Sequence, residues 1–465
     1  MSHQSHPHTP QADLSSLKEH LSMVANYAAE VSEGLEARPP LGDAGRTRPP
    51  EWPDEPIGLD GALRLFAEAI DPGLHASAGP RYLGFVTGGT NPAALAGDWL
   101  TSVFDNNATS GTGLLAELER QVLAWLQRHL RLGDGFHGAF VTGATTSNYV
   151  NLATAREWAG ERVGVSVSDA GVGALADRIR VLSASPHSSV LKSLSQLGLG
   201  RERMELVPTL PGREAIDPDA LRTSMASAPD RPTIVVANAG TVNTVDFDDL
   251  HALADLRDEF GAWLHVDAAF GSFAALVPEH AHWTDGGDRA DSVTVDLHKW
   301  FNVPYDSAVQ FTKRPDLQLK VFRNNAAYLG GITDQPDFVH LTPENSRRAR
   351  AIPAWFTIAA YGAQGLRQIV SNNIDNARRF GAGIERLGGA RLLAPVQLNV
   401  ACFSTDRDPA LVLADLNDRG KVFMTPSVLH GVPCIRAAFS NWRTSDADVD
   451  LALEELAAAL APSTA

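Results

Sequence analysis

Residues 291–306 read DSVTVDLHKWFNVPYD, and the fold turns on how that stretch is read. Its first part, Ser292-Val293-Thr294-Val295, is β-branched and predicts a strand. The strand runs straight into Asp296-Leu297-His298-Lys299-Trp300-Phe301. An ammonium group is costly to desolvate. A lysine between an apolar strand and an aromatic pair therefore either snorkels to the surface or is there to lose a proton and react.

Working outward, strand and helix patterns alternate. GAFVTG (138–143) precedes NYVNLATAREWA, and RIRVLSAS (178–185) precedes VLKSLSQLG. TIVVANAG (233–240) precedes DLHALADLRDEFG, and AWLHVDAAF (262–270) follows. Such alternation predicts an α/β fold with a parallel sheet covered on both faces. Ligands in these sheets lie beyond the carboxyl ends of the strands. Helical spacing over 14–36 predicts an N-terminal helix. The Pro-rich run 37–56 reads equally as a surface linker or as an arm on a partner subunit. After a loop-like stretch come a helical PAWFTIAAYGAQGLRQIV, strand-like LNVACFS and CIRAAFS, and a closing helix. The expected units are 1–75 (tail, helix and arm), 76–323 (large domain), 324–350 (mobile active-site loop) and 351–465 (small C-terminal α/β domain).

A chain of 465 residues is too long for one simple core. Its 44% hydrophobic and 20% charged residues are ordinary for a globular protein. The net charge of −16 argues against nucleic-acid and anionic-membrane partners. Two cysteines, Cys402 and Cys434, make neither a disulfide framework nor a CxxC metal site, so no metal and a cytoplasmic location are expected. The N-terminus has no secretory pattern, and no apolar run reaches membrane-span length. His3, His6 and His8 could catch a metal, but a polar tail is the simpler reading.

Four strand ends carry candidate chemistry. Val141–Asn148, VTGATTSN, offers small residues, hydroxyls and a helix N-terminus, which suits a phosphate; a capped helix start explains it as well. It is neither a Walker loop nor GxGxxG. His187, in SASPHSSV, is either a ring-stacking histidine or a capping one. Asp267 ends an apolar strand, either as a cap or as the carboxylate that holds a proton on a ring nitrogen. Lys299 is the fourth, an amine suited to a Schiff base. Together, phosphate cup, flat-ring histidine, proton-holding aspartate and reactive lysine describe a site for pyridoxal 5′-phosphate.

Through TGATTSNYVNLATAR, SASPHSSVLKSL, ANAGTVNTVDFDDL, LHVDAAFGSF and DLHKWFNVPYD, the sequence resembles the group II pyridoxal-phosphate-dependent amino-acid decarboxylases, which include the aromatic-amino-acid and glutamate decarboxylases. The resemblance runs from about residue 80 to 450. It implies the fold-type I (aspartate-aminotransferase-like) architecture, with a mostly parallel seven-stranded sheet and a small C-terminal domain. It also implies a homodimer with active sites at the interface. Under it, Lys299 would form the Schiff base with the cofactor, Asp267 would pair with the pyridine nitrogen, and His187 and Ala269 would flank the ring. Thr145, Thr146 and Ser147 match the phosphate positions. Thr241 would touch the phenolic side, His298 the phosphate or substrate carboxylate, and Arg436 a substrate carboxylate.

The implied activity is decarboxylation of an L-amino acid, an aromatic or medium apolar one by mild preference and an acidic one as runner-up, to its amine and carbon dioxide, a step in carboxylic acid metabolism. The family's loop tyrosine, which protonates the product, is missing from ITDQPDFVHLTPENSRRAR (332–350); Phe338 and His340 are the nearest occupants, and Tyr328 matches another position. His340 is expected to supply the proton instead, with Phe338 toward the substrate. An apolar residue there would favour an aldehyde synthase, which consumes oxygen. A carbon–carbon lyase is a further alternative, and a non-catalytic paralogue would need none of Lys299, Asp267 and His187.

Overall fold

The computed structural model describes residues 9–43, 48–110, 113–175, 177–324 and 336–461. The histidines of the N-terminal tail, Tyr328 and most of the expected loop before 336 lie outside the described residues.

Seven strands form the large sheet. They are β1 (His137–Val141), β2 (Arg180–Ser183), β3 (Met204–Leu206), β4 (Thr233–Asn238), β5 (Trp263–Asp267), β6 (Ser292–Asp296) and β7 (Ala308–Thr312). Their order is β1-β7-β6-β5-β4-β2-β3. Only β7 runs against its neighbours, β1 and β6. The sheet is therefore the mostly parallel one expected of a fold-type I enzyme. Every residue of β2, β4, β5 and β6 is buried, because helices cover both faces.

The sequence reading missed β3 and β7. β3 is a short edge strand of three residues, half exposed, and leaves almost no periodic signal. β7 returns antiparallel from β6, so no helix separates the two strands to mark it. That short return matters for the site: Lys299 rides in the connection between β6 and β7.

A second sheet, all antiparallel, comprises β8 (Ala390–Leu392), β9 (Val400–Thr405), β10 (Thr425–Leu429) and β11 (Val432–Ala438), in the order β10-β11-β9-β8. It packs with the helices Pro409–Arg419 and Asp446–Leu460 around its own core of Phe380, Phe403 and Phe439. The helical span Ala351–Ile384, kinked at Gly362 where the backbone leaves helical geometry, joins this unit to the large one and lies against the helix Pro92–Phe104.

Segment 336–350 is pinned from below. Arg347, buried, pairs with buried Glu119 at 2.7 Å and donates to the Phe140 carbonyl at 3.0 Å and the Ala108 carbonyl at 2.7 Å. Its guanidinium lies 4.9 Å from the ring centroid of Phe338. A charge this deep survives because Glu119 neutralises it, two carbonyls accept from its Nη groups and the Phe338 ring covers one face.

Candidate active site

The carboxyl ends of β1, β2, β4, β5 and β6 reach the same edge of the sheet, because these strands are mutually parallel in direction. A cavity of about 280 Å³ opens there. Lys299, Asp267, His187, Thr241, Ala269 and Arg436 all line it.

Lys299 neither snorkels to bulk water nor sits in apolar surroundings alone. Its Nζ is 3.4 Å from Asp296 Oδ2 and 5.7 Å from the Phe270 ring centroid. The backbone beneath it is held by a close approach: a Cβ on Gly88 would collide with the Lys299 carbonyl, so only glycine lets segment 84–92 lie against the lysine turn. Asn302 clamps the same crossing, donating to the carbonyls of Gly88 and Ser440, each at 2.8 Å.

Asp267 is oriented from behind. Its Oδ2 accepts a hydrogen bond from Asn148 Nδ2 at 2.9 Å, and its Oδ1 accepts from the Ala269 N–H at 3.3 Å. Asn148 is a hub whose four hydrogen-bonding positions are all used. Its other amide proton goes to Ser189 Oγ at 3.0 Å; its Oδ1 accepts from Thr294 at 2.7 Å and faces His265 Nε2 at 2.9 Å. His265 Nδ1 in turn meets Ser292 Oγ at 2.9 Å, and Trp263 donates to that hydroxyl at 3.0 Å. Burial pushes the His265 pKa down to about 4, so a neutral imidazole carries its proton on Nε2 toward Asn148.

His187 satisfies both readings of its sequence. It is the N-cap of the helix Ser188–Gln196, with Nδ1 accepting from the Ser189 N–H at 3.2 Å, and it also lines the cavity. Burial pushes its pKa down, opposed in part by Asp267. With Nδ1 bonded to Ser189, the proton of the neutral ring sits on Nε2.

The phosphate-cup expectation divides. The helix Ala144–Arg162 starts without a side-chain cap, so its first N–H groups are left for a ligand. Thr146 shares a hydrogen bond of 2.7 Å with Thr142, and a Cβ on Gly143 would come 3.5 Å from His298. Thr145 and Thr146 both open onto a neighbouring depression with Lys192, and Thr145 also onto a second one with His187. Ser147 must be corrected: it is fully buried, its hydroxyl lies 2.9 Å from Thr294 Oγ1 and 3.1 Å from the Val309 carbonyl, and its N–H bonds Gly143. One step along a helix turns a side chain through a third of a turn, which here sends it into the sheet.

Phe338 and His340 also need correction. Both are buried in the turn Phe338–His340, and neither lines the cavity of its own chain. Phe338 packs beneath Arg347, and His340 Nδ1 accepts from the Asn324 N–H at 3.0 Å.

Three lining or flanking groups were not singled out from the sequence. Asp296 joins the lysine to His298, lying 3.1 Å from His298 Nε2. Glu214 lines the cavity and accepts from Thr241 at 2.6 Å and from Thr244 Oγ1 at 2.7 Å. Tyr305 lines it from the quoted stretch itself. Asp296 and Tyr305 stand within seven residues of Lys299, so the motif held the signal; Glu214 is brought in only by the fold. Arg436, on β11, is buried, and its Nε has no hydrogen-bond partner among the described residues.

These residues fit pyridoxal phosphate: a lysine amine, a positioned carboxylate and a flat ring line one cavity, and a helix with uncapped amides starts just past the carboxyl end of β1. Comparison with known proteins agrees. The model for the pyridoxal-dependent decarboxylase conserved domain matches residues 42–406. The chain is 25% identical to an aromatic-L-amino-acid decarboxylase of Catharanthus roseus, covering 91% of this chain and 89% of that one. It is 28% identical to a 3,4-dihydroxyphenylacetaldehyde synthase of Drosophila melanogaster, covering 88% and 83%. The solved structure of Oryza sativa TDC with PLP and tryptamine superposes with a TM-score of 0.87 at 23% identity, covering 96% and 98%.

Proposed function

The chain belongs to the pyridoxal-dependent decarboxylase family, a family of carboxy-lyases, and on that premise we propose that it converts an aromatic L-amino acid to its amine and carbon dioxide. The observation that carries this reading is the convergence of Lys299, Asp267, His187 and Arg436 on one cavity.

Bound pyridoxal phosphate supplies an electron-withdrawing ring to the substrate carbon that loses its carboxylate. Lys299 is the amine that holds the cofactor through its aldehyde carbon. Asp267 keeps the ring nitrogen protonated, and Asn148 holds Asp267 in place for that task. His187 presents a neutral imidazole toward the ring. The N–H groups at the start of Ala144–Arg162, with the Thr146 hydroxyl and His298, hold the phosphate. Arg436, buried with an unpaired Nε, orients a carboxylate of the substrate.

An aromatic side chain is favoured by the walls. Phe85, Phe270 and Tyr305 all line the cavity, and among the described residues no acidic side chain there is free to select a cation, since Glu214 is engaged by Thr241 and Thr244 and Asp267 by Asn148 and Ala269. Names of relatives point the same way. One observation favours the aldehyde synthase as second reading: the described part of the 332–350 loop brings no acid to the cavity.

We further propose a homodimer. Val103 and Phe104 are 67% and 66% exposed at the end of the helix Pro92–Phe104, Phe85 is 58% exposed at the cavity, and Trp52 in the arm is 94% exposed. Large apolar side chains are costly to leave in water and fit a second copy. In this proposal the arm is a strap across the partner.

The test is incubation of the cofactor-loaded protein with a panel of L-amino acids in air, with products identified by mass spectrometry. An aromatic amine is expected. An aldehyde alone establishes the second reading, and no turnover of any amino acid removes both.

A further inference from the structure

Among the described residues that line the cavity, most acidic or hydroxyl groups already have a task. Asp267 is bonded to Asn148 and Ala269, Glu214 accepts from Thr241 and Thr244, and Ser185 donates to the Glu214 carbonyl at 2.8 Å. The expected loop donor, His340, is buried elsewhere. One O–H acid remains.

Tyr305 lines the cavity with Lys299. Its ring stacks on His298, with centroids 4.2 Å apart and planes inclined by 33°. His298 is itself fixed: Nδ1 accepts from the Ser307 N–H at 3.2 Å, and Nε2 lies 3.1 Å from Asp296. The phenol oxygen faces Thr87, which is buried. The ring is thus held on one face, while the outer edge stays open to water, the residue being 62% exposed.

We propose that Tyr305 is the catalytic acid that returns a proton to the substrate α-carbon after carbon dioxide leaves, a role that rests on the decarboxylase reading above. The new Cα–H bond forms as the phenolic O–H bond breaks, and the phenolate recovers its proton from water at the open edge. Desolvation on its cavity side and Asp296 push the phenol pKa up, while Thr87 pulls it down, so the group is protonated at neutral pH. Without this acid, the same carbon is left to react with dioxygen: amino acid, dioxygen and water then give aldehyde, carbon dioxide, ammonia and hydrogen peroxide.

The experiment compares loaded wild type with Tyr305→Phe on an aromatic L-amino acid, measuring amine, aldehyde and peroxide. Amine formation is expected to fall at least tenfold in kcat with KM changed less than threefold, and the aldehyde share to rise. Unchanged kcat and product overturn the proposal. Wild type yielding only aldehyde overturns the parent reading instead, and the two failures are distinct. Thr87→Val provides a check with the phenol in place. Loss of the Thr87 hydroxyl, which holds the phenol pKa down, moves the alkaline limb of kcat to higher pH; an unmoved limb counts against Tyr305.

Discussion

Asn148 Nδ2 lies 2.9 Å from Asp267 Oδ2, and this one contact ties the carboxylate of the site to a chain that runs back through His265, Ser292 and Trp263 into the sheet. A carboxylate at a strand end could rotate toward water. Here it is held by a side-chain amide whose every polar position is committed, so its direction is set before any ligand arrives.

Asn148→Leu keeps the volume and removes all four bonds. A hydrogen bond to a charged group is worth about 1.5–3 kcal/mol. We expect kcat to fall roughly 10- to 100-fold and cofactor to bind more weakly, read by steady-state kinetics and equilibrium dialysis. A variant with wild-type kcat would show that Asp267 needs no such support.

Arg436→Met tests the buried guanidinium. If it orients substrate, KM should rise by about tenfold or more, as a lost charged contact predicts. Stability should not fall, since the variant removes a buried charge whose Nε lacks a partner among the described residues. A lowered melting temperature with unchanged KM would make the residue structural.

His265 gives a pH signature. Its folded pKa of about 4 lies below the ordinary value of 6.5 because the ring is buried. As pH falls through that window the unfolded chain takes up a proton that the folded chain refuses, so stability drops. Above pH 6.5 neither state is protonated, and the term vanishes. The loss across the window is about 3 kcal/mol. Denaturant titrations of wild type and His265→Gln at pH 7 and 4.5 should show a smaller acid penalty in the variant.

Glu119→Ala leaves Arg347 buried without its anion. The cost is about 3–5 kcal/mol, and thermal unfolding should shift down accordingly. The double variant Glu119→Ala/Arg347→Met should recover part of it. Equal loss in both would mean that packing, not the pair, holds segment 336–350.

The sequence was most legible where function and fold coincide. LHVDAAF and DLHKWF each end a buried strand with a polar group, a combination that a plain core would not tolerate, so Asp267 and Lys299 stood out. Asn148 did not, because one step past the hydroxyl run it reads as an ordinary helix residue, and only the fold brings Asp267 and His265 to it. Ser147 was misjudged because spacing along a loop does not say which way a helix will turn its first residues. Phe338 and His340 were misjudged for a different reason: the buried pair of Arg347 and Glu119 draws their turn into the core, which spacing along the chain does not announce. Tyr305 lay in the quoted stretch, yet nothing in its spacing said that its ring would stack on His298.

The most direct test of the account is to load the protein with pyridoxal phosphate, reduce it with borohydride and map the adduct by peptide mass spectrometry, alongside carbon dioxide release by wild type and Lys299→Ala. The account predicts one adduct, on the peptide containing Lys299, and no carbon dioxide from the variant. An adduct on another lysine, or carbon dioxide release that persists without Lys299, would contradict it.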